Sequence, residues 1–220
     1  WDGRANIFFN GVNPVGMLDP AAAVKTCLDG INLSAHQLMV PFSSLASQAV
    51  GPPGSDFEMS LASRPFRSIG RKLLAATTTP LARQQVATTD SALGPYAAAG
   101  PGFGLNKSYA AFIQEIFQDK FWNGPSVDGY SLMETNFALF FGLAVQAYEA
   151  TLIPDNTPLD TLLTALNQTV LPNPLSPNQV ERGLAVFLNA PANCVVCHAG
   201  AETTGATIST QIGFGRPLAP

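Results

Sequence analysis

The chain has 220 residues, of which 46% are apolar and only 12% charged, with a formal net charge of −4. That apolar content is ample for the core of one large or two small domains. The acidic balance leaves no basic footprint for nucleic acid, and a surplus this small is compatible with a basic partner without requiring one.

Residues 1–20 (WDGRANIFFNGVNPVGMLDP) are rich in Gly, Asn and Pro and read as irregular structure. Asp19-Pro20 predicts the cap of a short helix running through Ala21 to Leu28, with Gly30 as its stop. After Gln37, an apolar stretch containing Pro41 leads into a helical turn over residues 45–50, ended by Gly51-Pro52-Pro53-Gly54. Residues 65–76 and 80–88 read as two short helices, each entered through a proline. Residues 94–104 form a Gly/Pro/Ala loop whose glycines lack the spacing and the preceding strand of a phosphate-binding loop, so a flexible surface loop is expected.

Two amphipathic helices follow. From Ser108, the residues Tyr109, Phe112, Ile113, Ile116, Phe117 and Phe121 recur on one face. From Ser131, a capping box with Glu134 opens a helix whose stripe is Phe137, Phe140, Phe141, Ala144, Val145 and Tyr148. Such stripes are core faces more often than cofactor walls. No apolar run reaches bilayer-spanning length; the best candidate, residues 137–147, is about half of it and is followed by Glu149. Thr157-Pro158 starts another helix through Leu166, and a Pro-rich linker then leads to Ser176-Pro177, the N-cap and first position of a helix with Val180, Leu184, Phe187 and Leu188 at helical spacing. No strand alternation stands out, so the expected fold is mainly α with many Pro/Gly-rich connections.

That last helix delivers the chain to Cys194-Val195-Val196-Cys197-His198. A Cys-x-x-Cys-His run puts two thiols within reach of the two vinyl groups of a haem while the next imidazole reaches its iron, so it reads as c-type haem attachment with His198 as the metal ligand. At average residue frequencies it would arise by chance in about one chain in a thousand of this length. Two other readings exist. A redox dithiol wants a βαβ pattern, which is not visible, and a structural zinc site wants a fourth ligand, for which only Cys27 and His36 remain. Haem c is attached outside the bacterial cytoplasm, so a periplasmic or extracellular protein is expected. Cys27 is then the odd thiol, read as a small buried apolar residue.

Three stretches together resemble the bacterial di-haem cytochrome c peroxidase superfamily, which includes the enzyme that matures methylamine dehydrogenase and, more remotely, the rubber oxygenases. They are WDGRA at residues 1–5, SLASQAVGPPGSDFEMS at 44–60 and SPNQVERGLAVFLNAPANCVVCH at 176–198. The resemblance implies c-type cytochrome haem domains, with residues 1–172 matching the part of a first haem domain after its attachment site, enlarged by insertions, and residues 173–220 starting a second. It implies His198 as proximal ligand of the second haem, Trp1 as the tryptophan between the haems, and Gln48 and Glu58 as the polar pair where peroxide is cleaved. Arg4 pairs with a haem propionate on this reading, the alternative being a plain surface charge. Without the resemblance, Glu58 reads as an ordinary surface carboxylate.

The residue types suit that chemistry. Breaking an O–O bond needs a proton moved between its oxygens, which a carboxyl can do, and an amide can hold the peroxide or orient the carboxyl. The resemblance further implies hydrogen peroxide as substrate and a small redox protein, a cytochrome c or a cupredoxin, as electron donor. The first haem's own attachment motif is absent, so a second haem is expected on a missing upstream segment, with this chain a piece of a longer protein or one part of a larger assembly. Two alternatives share the motif: an electron-transfer cytochrome without its own substrate, and a di-haem oxygenase acting on an apolar substrate. His36 and the methionines Met17, Met39, Met59 and Met133 complete the list of candidate axial ligands.

Overall fold

The computed structural model describes residues 5–98, 103–152 and 179–196. Two compact units divide the chain: Ala5–Glu149, and a second made of Trp1–Arg4 with Ala150–Pro220. Trp1, Arg4, Cys197, His198, the expected helix at 157–166 and the linker after it all lie outside the described residues.

Helix α6 (Phe137–Glu149) is the axis of the first unit, because almost every side of it is apolar and Phe137, Ala138, Leu139, Phe140 and Gly142 are buried. Around it lie a β-ribbon, β1 (Val24–Cys27) and β2 (Leu33–His36), and helices α1 (Ser44–Ala49), α2 (Gly51–Gly54), α3 (Phe66–Leu74), α4 (Tyr109–Ile116) and α5 (Leu132–Thr135). The core gathers Phe9, Val24, Ala46, Val50, Ile113, Met133, Phe137, Leu139 and Phe140. Burying side chains of this size stabilises by about 1.5–3 kcal/mol each.

Two glycines set how closely the helices approach α6. A Cβ on Gly142 would stand 2.7 Å from Phe9 Cζ and 3.1 Å from the Ala46 carbonyl oxygen, so α1 crosses α6 at a notch. A Cβ on Gly70 would stand 2.6 Å from that of Phe137, so α3 docks against the start of α6 in the same way. Phe117 packs on Phe140 with ring centroids 4.7 Å apart.

The ribbon corrects two expectations: residues 21–28 are not a helix, and strand structure is present. Val24 and Thr26 are β-branched and buried, and Asp29-Gly30 is a hairpin turn rather than a helix stop. Asp29 Oδ1 accepts the N–H groups of Ile31 (2.9 Å) and Asn32 (2.7 Å), and its other oxygen accepts from the Asn32 amide at 2.7 Å. These bonds from Asn32 and Ile31 hold the carboxyl well below the usual range for Asp. The register pairs Val24 with His36 and Lys25 with Ala35. The outer edge of β1 is closed by Asn136, which accepts the Lys25 N–H at 3.0 Å and donates to its carbonyl at 2.7 Å. Lys25 and Ala35 therefore form a non-hydrogen-bonded pair.

Other boundaries shift for local reasons. Gly51-Pro52-Pro53-Gly54 does not end the helical region; it is itself the turn α2, with prolines at the first positions where no N–H is needed. Residues 80–88 form turns rather than a helix, since the carbonyls of Pro80 and Gln84 accept from Leu105 (3.0 Å) and Gly104 (2.8 Å) instead of from their own segment. Helix α4 is capped by Ser108, whose hydroxyl accepts the Ala111 N–H at 3.2 Å, and it stops at Phe117. Ile116 consequently faces solvent, and Phe121 sits in a separate short turn, Asp119–Phe121. The capping box of Ser131 and Glu134 is present as expected, but the helix it opens breaks at Asn136 into α5 and α6. No helix among the described residues is long and apolar enough to cross a membrane.

Candidate functional site

In the second unit, helix α7 (Gln179–Leu188) leads to Cys194, with Leu184 and Phe187 half-buried. Its end is tied off by Asn189, whose backbone N–H (3.2 Å) and side-chain amide (2.9 Å) both donate to the Ala185 carbonyl. The chain reverses through Asn193, which adopts a left-handed conformation (φ +49°) and donates its N–H to Asn189 at 3.0 Å. Asparagine tolerates that backbone better than most residues, and the turn leads straight into the short helical turn Cys194–Val196. The Cys194 thiol is unpaired and half-buried. A free thiol presented on a tight turn, three residues before a second Cys and its His, fits the donor set of covalent haem c. Cys197 and His198 themselves lie outside the described residues.

The two residues expected beside a peroxide are both in the first unit, on either side of α2. Gln48 lies on α1 with its side chain exposed. Glu58 is exposed in the turns after α2, where its N–H donates to the Ser55 carbonyl at 3.2 Å. Its carboxylate makes no hydrogen bond to a described residue. Its neighbours Phe57 and Met59 are 95% and 72% exposed. Trp1 and Arg4 lie outside the described residues.

Among the remaining candidates, His36 is exposed at the end of β2, Met17, Met39 and Met59 face solvent, and Met133 belongs to the core. Cys27 is buried as expected, packed where a Cβ on Gly124 would stand 2.7 Å from its own. Among the described residues no three His, Cys, Asp or Glu side chains gather as metal ligands.

The most organised polar cluster was not foreseen from the sequence. Arg71 is placed with its guanidinium 3.8 Å from the Tyr130 ring centroid and donates to both Glu134 oxygens at 3.1 and 3.3 Å. Arg67 lies 4.5 Å from the same ring and pairs with Asp128 at 2.9 Å, while Ser68 and Tyr130 share a hydroxyl hydrogen bond at 2.8 Å. Donating these hydrogen bonds to Glu134 holds the Arg71 guanidinium above its ordinary pKa. Partial burial pushes the Glu134 carboxyl up, but the bonds from Arg71 and the Ser131 N–H outweigh it and hold the group below the usual value. The cluster grips a two-residue hairpin turn: Val127 and Tyr130 exchange N–H···O bonds of 2.7 and 2.9 Å, and Asp128 and Gly129 both have positive φ. Asp-Gly between Val127 and Tyr130 is the sequence signal for such a turn.

No family model, curated protein or solved structure matches this chain.

Proposed function

We propose that this chain is a haem c oxidoreductase, with the cofactor attached through Cys194 and Cys197 and held on its iron by His198. The carrying observation is the run Cys194-Val195-Val196-Cys197-His198, whose first thiol is free and half-buried on the turn after α7. Bound there, haem c supplies one-electron redox chemistry at an iron with one imidazole ligand. Each cysteine would be joined to the group by a thioether, the thiol S–H adding across a vinyl double bond so that sulfur and hydrogen go to neighbouring carbons. Cys194 and Cys197 would hold the group at the turn that the hydrogen bonds of Asn189 and Asn193 shape.

Within that class, the resemblance supports reduction of hydrogen peroxide to two waters with two electrons from a small redox protein, in the periplasm or outside the cell. Glu58 would take a proton from one peroxide oxygen and return it to the departing one, and the Gln48 amide would orient the pair. Trp1 would lie on the electron path to a second haem, and Arg4 would pair with a propionate. A second reading, an electron carrier without its own substrate, is favoured by the open, solvent-facing placement of Gln48 and Glu58.

The test is a reduced-minus-oxidised visible spectrum of native material with iron counted per polypeptide, repeated on Cys194→Ala/Cys197→Ala. A c-type spectrum that the double variant loses supports haem attachment, and its absence from the native protein refutes it. Peroxide turnover that falls at least about a hundredfold in Glu58→Gln supports the peroxidase reading. Six-coordinate haem that binds neither peroxide nor cyanide moves the protein to the carrier class.

A further inference from the structure

Charge is unevenly placed along this acidic chain. Residues 59–89 contain five of the eleven Lys and Arg residues, namely Arg64, Arg67, Arg71, Lys72 and Arg83, and none of the fifteen Asp and Glu residues. Helix α3 turns Phe66, Ile69, Leu73 and Leu74 toward the core, which leaves its cations on the other side. Arg67 and Arg71 are engaged by Asp128, Glu134 and Tyr130. Arg64, Lys72 and Arg83 make no ion pair with a described residue; Lys72 and Arg83 are exposed and Arg64 half-buried.

The stretch just before α3 adds apolar surface. Phe57, Met59 and Leu61 are 95%, 72% and 77% exposed, and the Arg64 N–H donates to the Leu61 carbonyl at 3.0 Å. Exposed large apolar side chains followed directly in the chain by an arginine-rich segment have the composition of a protein interface, where both are enriched.

We infer that the segment from Phe57 through α3 to Arg83 is a docking surface for a protein partner whose face is acidic. This inference does not depend on the haem reading. Two of the three cations that make no ion pair with a described residue, Arg64 and Arg83, are arginine, whose planar fork pairs carboxylates through two parallel hydrogen bonds. An anionic bilayer fits less well. Asp56 and Glu58 alternate with the exposed apolar residues, and lipid phosphates would repel them, whereas a protein can set its own cations opposite. The partner surface therefore has carboxylates facing Arg64, Lys72 and Arg83 and an apolar patch facing Phe57 and Leu61.

The experiment measures binding of fluorescently labelled poly-L-glutamate to the full chain by anisotropy at low and physiological ionic strength. Vesicles of phosphatidylglycerol and phosphatidylcholine are titrated in parallel. Wild type should bind the polyanion saturably and lose affinity as salt rises. Arg64→Glu/Lys72→Glu/Arg83→Glu should bind on the order of tenfold more weakly or worse, whereas Lys25→Glu/Lys120→Glu should stay near wild type. The three reversed side chains make no ion pair with a described residue, so the far-UV circular dichroism should be kept.

Carbodiimide coupling gives a readout that needs no variant. It joins a glutamate carboxylate to a lysine amine as an amide, the carbodiimide leaving as a urea, and Lys72 should carry the adduct in preference to Lys25, Lys107 and Lys120. Equal binding by wild type and the triple reversal, adducts spread evenly over the lysines, or binding to vesicles without binding to poly-L-glutamate would each overturn the inference, the last in favour of a lipid surface.

Discussion

Removing the side-chain amide of Asn136 should be among the most damaging single changes in the first unit. Asn136 is 3% exposed and sits at the break between α5 and α6. It accepts the Lys25 N–H at 3.0 Å and donates to the carbonyls of Lys25 and Phe121, both at 2.7 Å. Asn136→Ala leaves three backbone groups without that partner. Each buried group left unpaired costs about 1–3 kcal/mol, and water recovers part of this at half-buried Lys25, so the total is about 3–5 kcal/mol. That is a large fraction of the 5–15 kcal/mol typical of a domain. Asn136→Asp should be at least as harmful: it keeps the acceptor for Lys25, loses both donations and places a charge in the core. Urea unfolding followed by the fluorescence of Trp122, whose indole N–H donates to the Phe117 carbonyl at 3.0 Å beside this site, reports the loss directly. An Asn136→Ala protein within about 1 kcal/mol of wild type, or a milder effect for Asp than for Ala, would refute the account.

Three further outcomes are expected. Gly142→Ala drives a methyl to 2.7 Å from Phe9 Cζ and 3.1 Å from the Ala46 carbonyl oxygen, and thermal or urea unfolding should show a loss of about 1–3 kcal/mol. Gly129→Ala forces a side chain onto a backbone with φ +78° in the Asp-Gly turn, and the same measurement should show about 1 kcal/mol lost, with Gly129→Asn milder because Asn tolerates that region. The Glu134 carboxyl titrates below its ordinary value of 4.5 in the folded protein, so its contribution is fully present above about that pH and is lost as pH falls through the lowered value. Subtracting the pH–stability curve of Glu134→Gln from that of wild type should therefore leave a step on the acid side of pH 4.5, of about 1 kcal/mol or less.

What was legible in the sequence had short-range causes. The helix start at Ser108, the capping box at Ser131 and the helix entered at Pro65 depend on residues within a turn or two of one another, and all three are present. Ala144 and Tyr148 of the stripe expected on α6, by contrast, are exposed, and Ala138, Leu139 and Gly142 are buried in their stead on a helix that is apolar on almost every side. The failures came where a distant partner decided the outcome. Residues 24–27 became a strand because Asn136, 111 residues from Lys25, closes the outer edge. Residues 80–84 stayed non-helical because Gly104 and Leu105 take their carbonyls. For the site, Cys-x-x-Cys-His is a contiguous signal and could be read directly, whereas Gln48 and Glu58 rested on a resemblance, and the structure leaves both in the open. The Arg67–Tyr130–Arg71 stack went unread because its members lie about 60 residues apart and meet only once the Asp-Gly turn folds back on α3.

The same long-range logic explains how a unit with so little regular structure holds together. Buried backbone groups need partners, and in residues 5–23 strand pairing is confined to the isolated bridge between Phe9 and Val40. Asn10, fully buried, accepts the N–H groups of Val12 and Asn13 at 2.9 Å each, and its amide donates to Asn13 Oδ1 at 2.9 Å and the Gly16 carbonyl at 3.0 Å. Gln146 on α6 accepts the Ala46 N–H at 3.1 Å and donates to the Ser43 hydroxyl at 3.2 Å, closing the first turn of α1, where Ser43 itself makes no side-chain cap. Asn136 does the same for β1 and the turn at Phe121. An uncharged amide offers donors and an acceptor at once, so it can pair with both kinds of backbone group without bringing a charge inside. These three side chains take the place that strand ladders and helix caps occupy elsewhere. Asn10 ties the N-terminal loops to themselves, and Gln146 reaches from α6 to α1, so the element that carries Gln48 is anchored from a residue a hundred positions away.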